Sequence, residues 1–335
     1  VRAGGILALA AALFAASLAS PQPASDRVVS LALFAGTAEG LWRSNDWGVT
    51  WTRVVGGTSG ASVDHIGAVR AIVPRGPEVW VAGDAGLFVS TDFGDTWAPL
   101  SETRNVRSLL LSRWPQADPT VFVGTDSGLL RSRDGGRTFQ PTHLAEGPVD
   151  RLEWPGPALV AAGSPGLVVT QTEGASFEGP GDGLPAGSVR AMALSTFFAM
   201  DPVLFAAPEA GGVYRSGDGG KHWKPAGLGD QSVRDLVWLG PFLYAAADGG
   251  FFRSEDSGRT WTRLAASPGE PRRLLFPLAP AAGLEAFLAT DRGLFRTADA
   301  GQHWQAAGLQ GSDVLTVATF PPPEPTLGPG KKPRR

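Results

Sequence analysis

Apolar and polar positions along this chain alternate in short runs, without the three-and-four spacing of an amphipathic helix. Residues 70–100 show the pattern most clearly: Arg70–Pro74 is a short apolar run, Glu78–Gly83 an alternating run ending in glycine, Gly86–Ser90 another, and Trp97–Leu100 closes the set. Gly, Pro and Asp separate the runs. Four short β-rich runs divided by turn residues predict four consecutive antiparallel strands.

The same set recurs. The turn before the fourth run reads SNDWGVTW at 44–51, STDFGDTW at 90–97, SRDGGRTF at 132–139, SGDGGKHW at 216–223, SEDSGRTW at 254–261 and TADAGQHW at 297–304. A degenerate copy, TQTEGASF at 170–177, has Thr172 at the Asp position. Successive markers are 46, 42, 38, 46, 38 and 43 residues apart, which gives seven units of about 42 residues. A lone four-stranded sheet cannot bury both faces, so units of this length stack around an axis as propeller blades. The sequence therefore predicts an all-β fold, a single seven-bladed β-propeller of four-stranded antiparallel blades. The first unit starts directly with Leu31–Gly36 and lacks a first run, while Asp313–Ala318 after the last box matches Val69–Val73 and then stops. The C-terminal run is expected to complete blade one and close the ring.

The Ser-x-Asp-x-Gly-x-Thr-Trp signature resembles the Asp-box, or BNR, repeat of sialidases, sortilin-type receptors, xyloglucan hydrolases and photosystem II assembly-factor propellers. It covers residues 28–320. The resemblance implies that the box is structural, sits on the hairpin between third and fourth strands, and lies away from the ligand face. Box chemistry points the same way. Asp46, Asp92, Asp134, Asp218, Asp256 and Asp299 can accept backbone N–H groups across the turn, the glycine supplies a positive φ, and Trp51, Trp97, Phe139, Phe177, Trp223, Trp261 and Trp304 wedge into the core. A calcium loop would need several acids in each turn, and each box has one or two.

Two constellations stand outside the box. Arg70, Arg107, Arg190, Arg234 and Arg272 occupy one repeat position at the start of the inner run in five units, with Asp150 and Leu315 in the other two. Inner strands line a propeller's channel, so these side chains are expected to converge at one mouth. They either bind an anion through forked hydrogen bonds or form an inter-blade latch with Glu39, Asp84, Asp126, Glu209, Asp248 and Asp291 of the turns on that face. The other constellation is the long connection Gly56–Gly67, with Asp64 and His65 as candidate ligand contacts. His143 is expected on the same face, and His222 and His303 replace the box threonine. A second arginine set, Arg43, Arg131, Arg215, Arg253 and Arg296, precedes the box and reads as structural.

Composition narrows the function classes. Of 335 residues, 45 are Gly and 28 Pro, as expected for a turn-rich fold. Residues 26–320 carry 24 basic and 31 acidic side chains, a net charge of −7, which disfavours nucleic-acid binding. With no cysteine there is neither a disulfide framework nor a thiolate metal site, the four histidines lack zinc-ligand spacing, and no cofactor or metal is expected. Residues 1–25, with Arg2 followed by the apolar stretch Ile6–Leu18 and small residues around Ala19, read as a secretory signal or an N-terminal anchor that tethers the chain through residues 4–19. Either places the body outside the cytoplasm, periplasmic or secreted. The Pro-rich basic segment 321–335 reads as a disordered tail.

A sialidase mechanism needs a tyrosine nucleophile, but Tyr214 and Tyr244 align with core positions. The chain reads as a monomeric, non-catalytic propeller that binds a protein partner or acidic ligand on its loop face. The photosystem II assembly-factor resemblance implies docking of a membrane-protein partner. The alternative is a lectin or glycoside hydrolase using loop-face carboxylates such as Glu39, Asp84 and Asp126.

Overall fold

A computed structural model describes residues 32–56, 63–112, 117–144, 147–154, 158–195, 198–277 and 285–320. The segments read above as a signal or anchor (1–25) and as a tail (321–335) lie outside the described residues. The described chain forms seven antiparallel sheets in succession, six of four strands and one of three. It is a seven-bladed β-propeller.

Blade two runs Val69–Arg75, Glu78–Gly83, Gly86–Ser90 and Ala98–Ser101, close to the boundaries the pattern predicts. Ring closure also follows the prediction. The C-terminal strand Val314–Phe320 pairs with Ala32–Thr37 as the innermost strand of blade one, with Val317 opposite Ala35. Blade four departs from it. Its strands are Val149–Glu153, Leu159–Gly163 and Gly166–Thr170, and the outer strand is reduced to one bridge between Val169 and Glu178. The segment after the degenerate box reads Gly179-Pro180-Gly181, which leaves little capacity for a ladder.

The hydrophobic core is divided into seven clusters, each spanning two adjacent blades. The cluster between blades one and two contains Phe34, Val69, Val81 and Trp97, and that between blades seven and one contains Phe287, Leu294, Leu33 and Val317. An aromatic column on the second strands organises these contacts: Phe34, Trp80, Phe122, Phe205, Tyr244 and Phe287 stand at one repeat position, with Val160 in blade four. Phe34 meets Trp97 of blade two edge-on with centroids 6.2 Å apart, and Phe287 meets Trp47 of blade one at 5.7 Å. A Cβ at Gly94 would collide with the Phe34 ring, and one at Gly301 with Phe251. The box glycine is thus required both by its positive φ, 87° at Gly94, and by the ring of the preceding blade.

Each box is a closed hydrogen-bonded unit. In blade two, Asp92 Oδ1 accepts the Ser90 hydroxyl (2.8 Å) and the Thr96 amide (2.8 Å), Oδ2 accepts the Thr96 hydroxyl (2.6 Å), and Ser90 Oγ accepts the Gly94 amide (2.7 Å). His222 and His303 take the threonine's part, with Nδ1 2.6 Å from the carboxylates of Asp218 and Asp299. In blade four, Thr172 and Ser176 share a hydroxyl contact of 2.9 Å instead. The amide and hydroxyl of Thr260 hold the Asp256 carboxyl down at about 2, and His303 does the same for Asp299. Trp97 and Trp223 are buried, and the other box aromatics pack partly buried on the inter-blade clusters.

Two outcomes follow. Phe34→Ala empties the space against Gly94 and Trp97, and should cost about 3–5 kcal/mol in urea unfolding, whereas Val49→Ala, at an exposed box position, should be near neutral. Carboxyl groups held below their ordinary value stabilise the fold at pH above that value and lose the contribution as pH falls toward 2. The urea midpoint should therefore be flat from neutral pH to about 5 and then fall steeply, with a smaller fall in Asp256→Asn.

Candidate functional site

In an antiparallel blade, the start of the inner strand and the turn between second and third strands share one face. The pairing in all seven blades shifts register at the ring position: Val69 pairs with Gly83 and Ala71 with Ala82, so Arg70 is the extra residue of a β-bulge. Arg107, Asp150, Arg190, Arg234, Arg272 and Leu315 are bulged in the same way. A bulge re-aims its side chain out of the pleat, here at the mouth of the channel.

All five mouth arginines are paired. Arg70 binds Asp84 and Arg190 binds Glu209, each acid being the turn residue of the same blade. Arg107 joins Asp126 of its own turn (2.9 Å) to Asp150 of blade four (2.5 Å). Arg234 joins Asp248 (2.9 Å) to Glu270 of blade seven (2.9 Å), and Arg272 joins Glu270 (3.1 Å) to Asp313 beside the blade-one strand (3.1 Å). Arg190 also donates to the Ser232 hydroxyl of blade six (3.1 Å). The arrangement is an interlocking belt, each guanidinium tied to its own turn, to the next blade, or to both. It carries more carboxylates than guanidiniums. Of the two readings of this ring, the geometry has the form of the latch.

Sequence reasoning missed part of the belt. Glu270, Asp313 and Ser232 each precede the first residue of an inner strand, and that shared position was the available signal. Among the described residues neither Glu39 nor Asp291 forms an ion pair with these arginines; Asp291 instead accepts the Glu270 amide (2.7 Å). Also missed was a second tier, one residue along from each bulge. Ala71, Ser108, Arg151, Ala191, Asp235, Arg273 and Thr316 share this column, and three charges among small residues stand out once it is aligned. Arg151 reaches across the channel to Asp235 of blade six (3.5 Å) and to the Arg272 carbonyl of blade seven (3.4 Å). Arg273 approaches the same buried Asp235 at 3.7 Å, and Asp235 Oδ2 accepts the Leu274 amide at 2.8 Å. Burial, then the like charge of Arg273, lowers the Arg151 pKa below the ordinary guanidinium value. Arg151 and Arg273 line both a cavity of about 100 Å³ on the mouth side and one of about 380 Å³ beyond, which also touches Trp238 and Phe276.

The long connection also reaches this face. Residues 57–62 and the Asp64 side chain lie outside the described residues. His65 is exposed at the end of a single 3₁₀ turn, Val63–His65, flanked by the fully buried Val63 and Ile66. The Ala85 amide donates to the Ile66 carbonyl (2.9 Å), which sets the loop beside the Arg70–Asp84 pair. His143 does not join it. Its amide donates to Gly174 in the box of blade four (3.1 Å), and it lines a cleft between blades three and four on the box face.

Because the belt's side chains are roughly a quarter to a half exposed, each pair should contribute modestly. Arg272→Ala should lower stability by about 1 kcal/mol or less in urea unfolding, and raising salt should narrow the gap between wild type and variant.

No protein-family profile and no curated protein sequence matches this chain. Solved structures do. An ancestral GH74 enzyme is similar with a TM-score of 0.64 at 15% identity, over 82% of this chain and 44% of that one. The extracellular domain of a two-component system from B. thetaiotaomicron gives 0.60 at 15%, over 73% and 35%. YCF48 bound to D1 peptide gives 0.54 at 17%, over 71% and 80%. The chain thus spans less than half of the first two proteins and most of the third. Identity at this level shows a common fold, the seven-bladed β-propeller.

Proposed function

We propose that this chain is a non-catalytic, extracytoplasmic propeller of the Asp-box type that docks a protein partner on its mouth face. The observation that carries this reading is the belt. Asp84 and Asp126, the acids best placed for glycoside hydrolysis, are each bound to an arginine, and Asp84 also accepts the Ala68 amide (3.1 Å). Glycosidases need a carboxyl free to carry and donate a proton, whereas the arginine bound to each of these acids occupies the carboxylate oxygens that would have to carry it. A free acidic ligand is also less well served, since the guanidiniums are already neutralised. A protein partner can instead exchange hydrogen bonds with the partly exposed pairs and cover Leu315, the apolar member of the ring. The extracytoplasmic placement rests on the apolar stretch within residues 4–19.

The test has two arms. A partner cross-linked at the mouth should be lost in Leu315→Glu, which leaves every ion pair of the belt in place, while the melting temperature is unchanged. A panel of polysaccharides should show no turnover; turnover abolished by Asp84→Asn or Asp126→Asn would establish the hydrolase alternative instead.

A further inference from the structure

The repeat supplies its own controls at the opposite, box-bearing face. The arginine before the box is paired in blades one, three, six and seven. Arg43 binds Asp95 in the box of blade two (2.7 Å), Arg131 binds Glu173 in the box of blade four, Arg253 binds Glu255 (2.5 Å), and Arg296 binds Glu285. Arg215 of blade five is the exception. No carboxylate pairs with it among the described residues; its Nε is buried without an acceptor, as are those of Arg131 and Arg253, so the missing carboxylate is what sets it apart. The positions that hold Asp95 in blade two and Glu173 in blade four are Arg259 and Ser257 in the adjoining blade six.

The gap opens into a cleft of about 940 Å³ between blades five and six, lined by Arg215, Lys224, Arg259, His222, Asp218 and Asp256 among others. The equivalent cleft between blades three and four, where Glu173 occupies Arg131, is about half that size at 470 Å³. Among the described residues neither Lys224 nor the Arg259 side chain has an ion pair, so three cations share this cleft unpaired. The two acids are held in their own boxes. Asp256 accepts the Thr260 amide (2.8 Å), the Thr260 hydroxyl (2.7 Å) and the Ser254 hydroxyl (2.9 Å). Asp218 accepts the Ser216 hydroxyl (2.8 Å) and the His222 amide (3.0 Å), with His222 Nδ1 at 2.6 Å.

We propose that the cleft between blades five and six is a binding site for a doubly charged tetrahedral oxyanion, a phosphate or sulfate group. Arg215 is its principal ligand, with its guanidinium fork free to donate to two oxygens, and Lys224 and Arg259 supply the remaining charge. The ligand takes the place that a carboxylate of the neighbouring box fills for Arg43 and Arg131. This site is separate from the mouth and does not depend on the function proposed there.

The purified chain is titrated with inorganic phosphate, inorganic sulfate and acetate at constant ionic strength, by calorimetry and thermal shift. Saturable binding of phosphate or sulfate, weakened about tenfold or more by Arg215→Gln and by Ser257→Glu, supports the site. Ser257→Glu installs the acid that blade four carries at this position, where Glu173 already adopts a φ of 53° against 60° at Ser257, so the backbone accommodates it. Arg133→Gln, in the equivalent cleft between blades three and four, should bind as the wild type does. Which of the two anions binds more tightly distinguishes a phosphoryl from a sulfuryl ligand. Binding unaffected by either cleft variant, a response matched by sodium chloride, or acetate binding as tightly as phosphate would overturn the proposal.

Discussion

Each blade has two apolar faces and no interior, so no blade can be stable without both neighbours. The seven core clusters of this protein all lie between blades, including the one that joins blade seven to blade one. Everything else is arranged around that requirement. The aromatic column of the second strands presses against the box glycine of the next blade at Gly48, Gly94, Gly136 and Gly258, the box holds those glycines in place through Ser and Asp, and the C-terminal strand removes the seam that would leave two faces unburied.

The same requirement shapes the mouth. Inner strands converge there, and a bulge in every blade turns one side chain out of each strand toward the axis. Five arginines at these points would repel one another. Acids from the turns and from the residues preceding the next inner strand resolve this, and because some pairs cross between blades, charge neutralisation and ring closure are served by one set of contacts. The second tier repeats the idea at smaller scale, with Asp235 placed between Arg151 and Arg273. On the box face the compensation is incomplete at Arg215, and an arginine stands where blade two has an acid. A repeat protein makes such a departure visible because its other blades show what the position ordinarily does.

Much of this was legible in the sequence. Strand number, blade count and ring closure are short-range properties: a turn signature recurring at about 42 residues, alternating apolar runs between copies, and an unmatched run at each end of the repeat. The column of five arginines was legible for the same reason. The shortened outer strand of blade four was signalled only by a degenerate box and a Gly-Pro-Gly segment, whose effect depends on what else packs there.

Pairing was the part the sequence left open. Asp126 and Asp150 lie 24 residues apart yet hold one guanidinium, and Glu270 serves arginines from two blades, because neighbouring inner strands start side by side at the channel. Composition and spacing determined that charges would meet at one face. Only the ring decided which acid meets which arginine, that Arg151 spans the channel, and that Arg215 meets none among the described residues, since those outcomes depend on distances between residues tens of positions apart that only the closed propeller brings together.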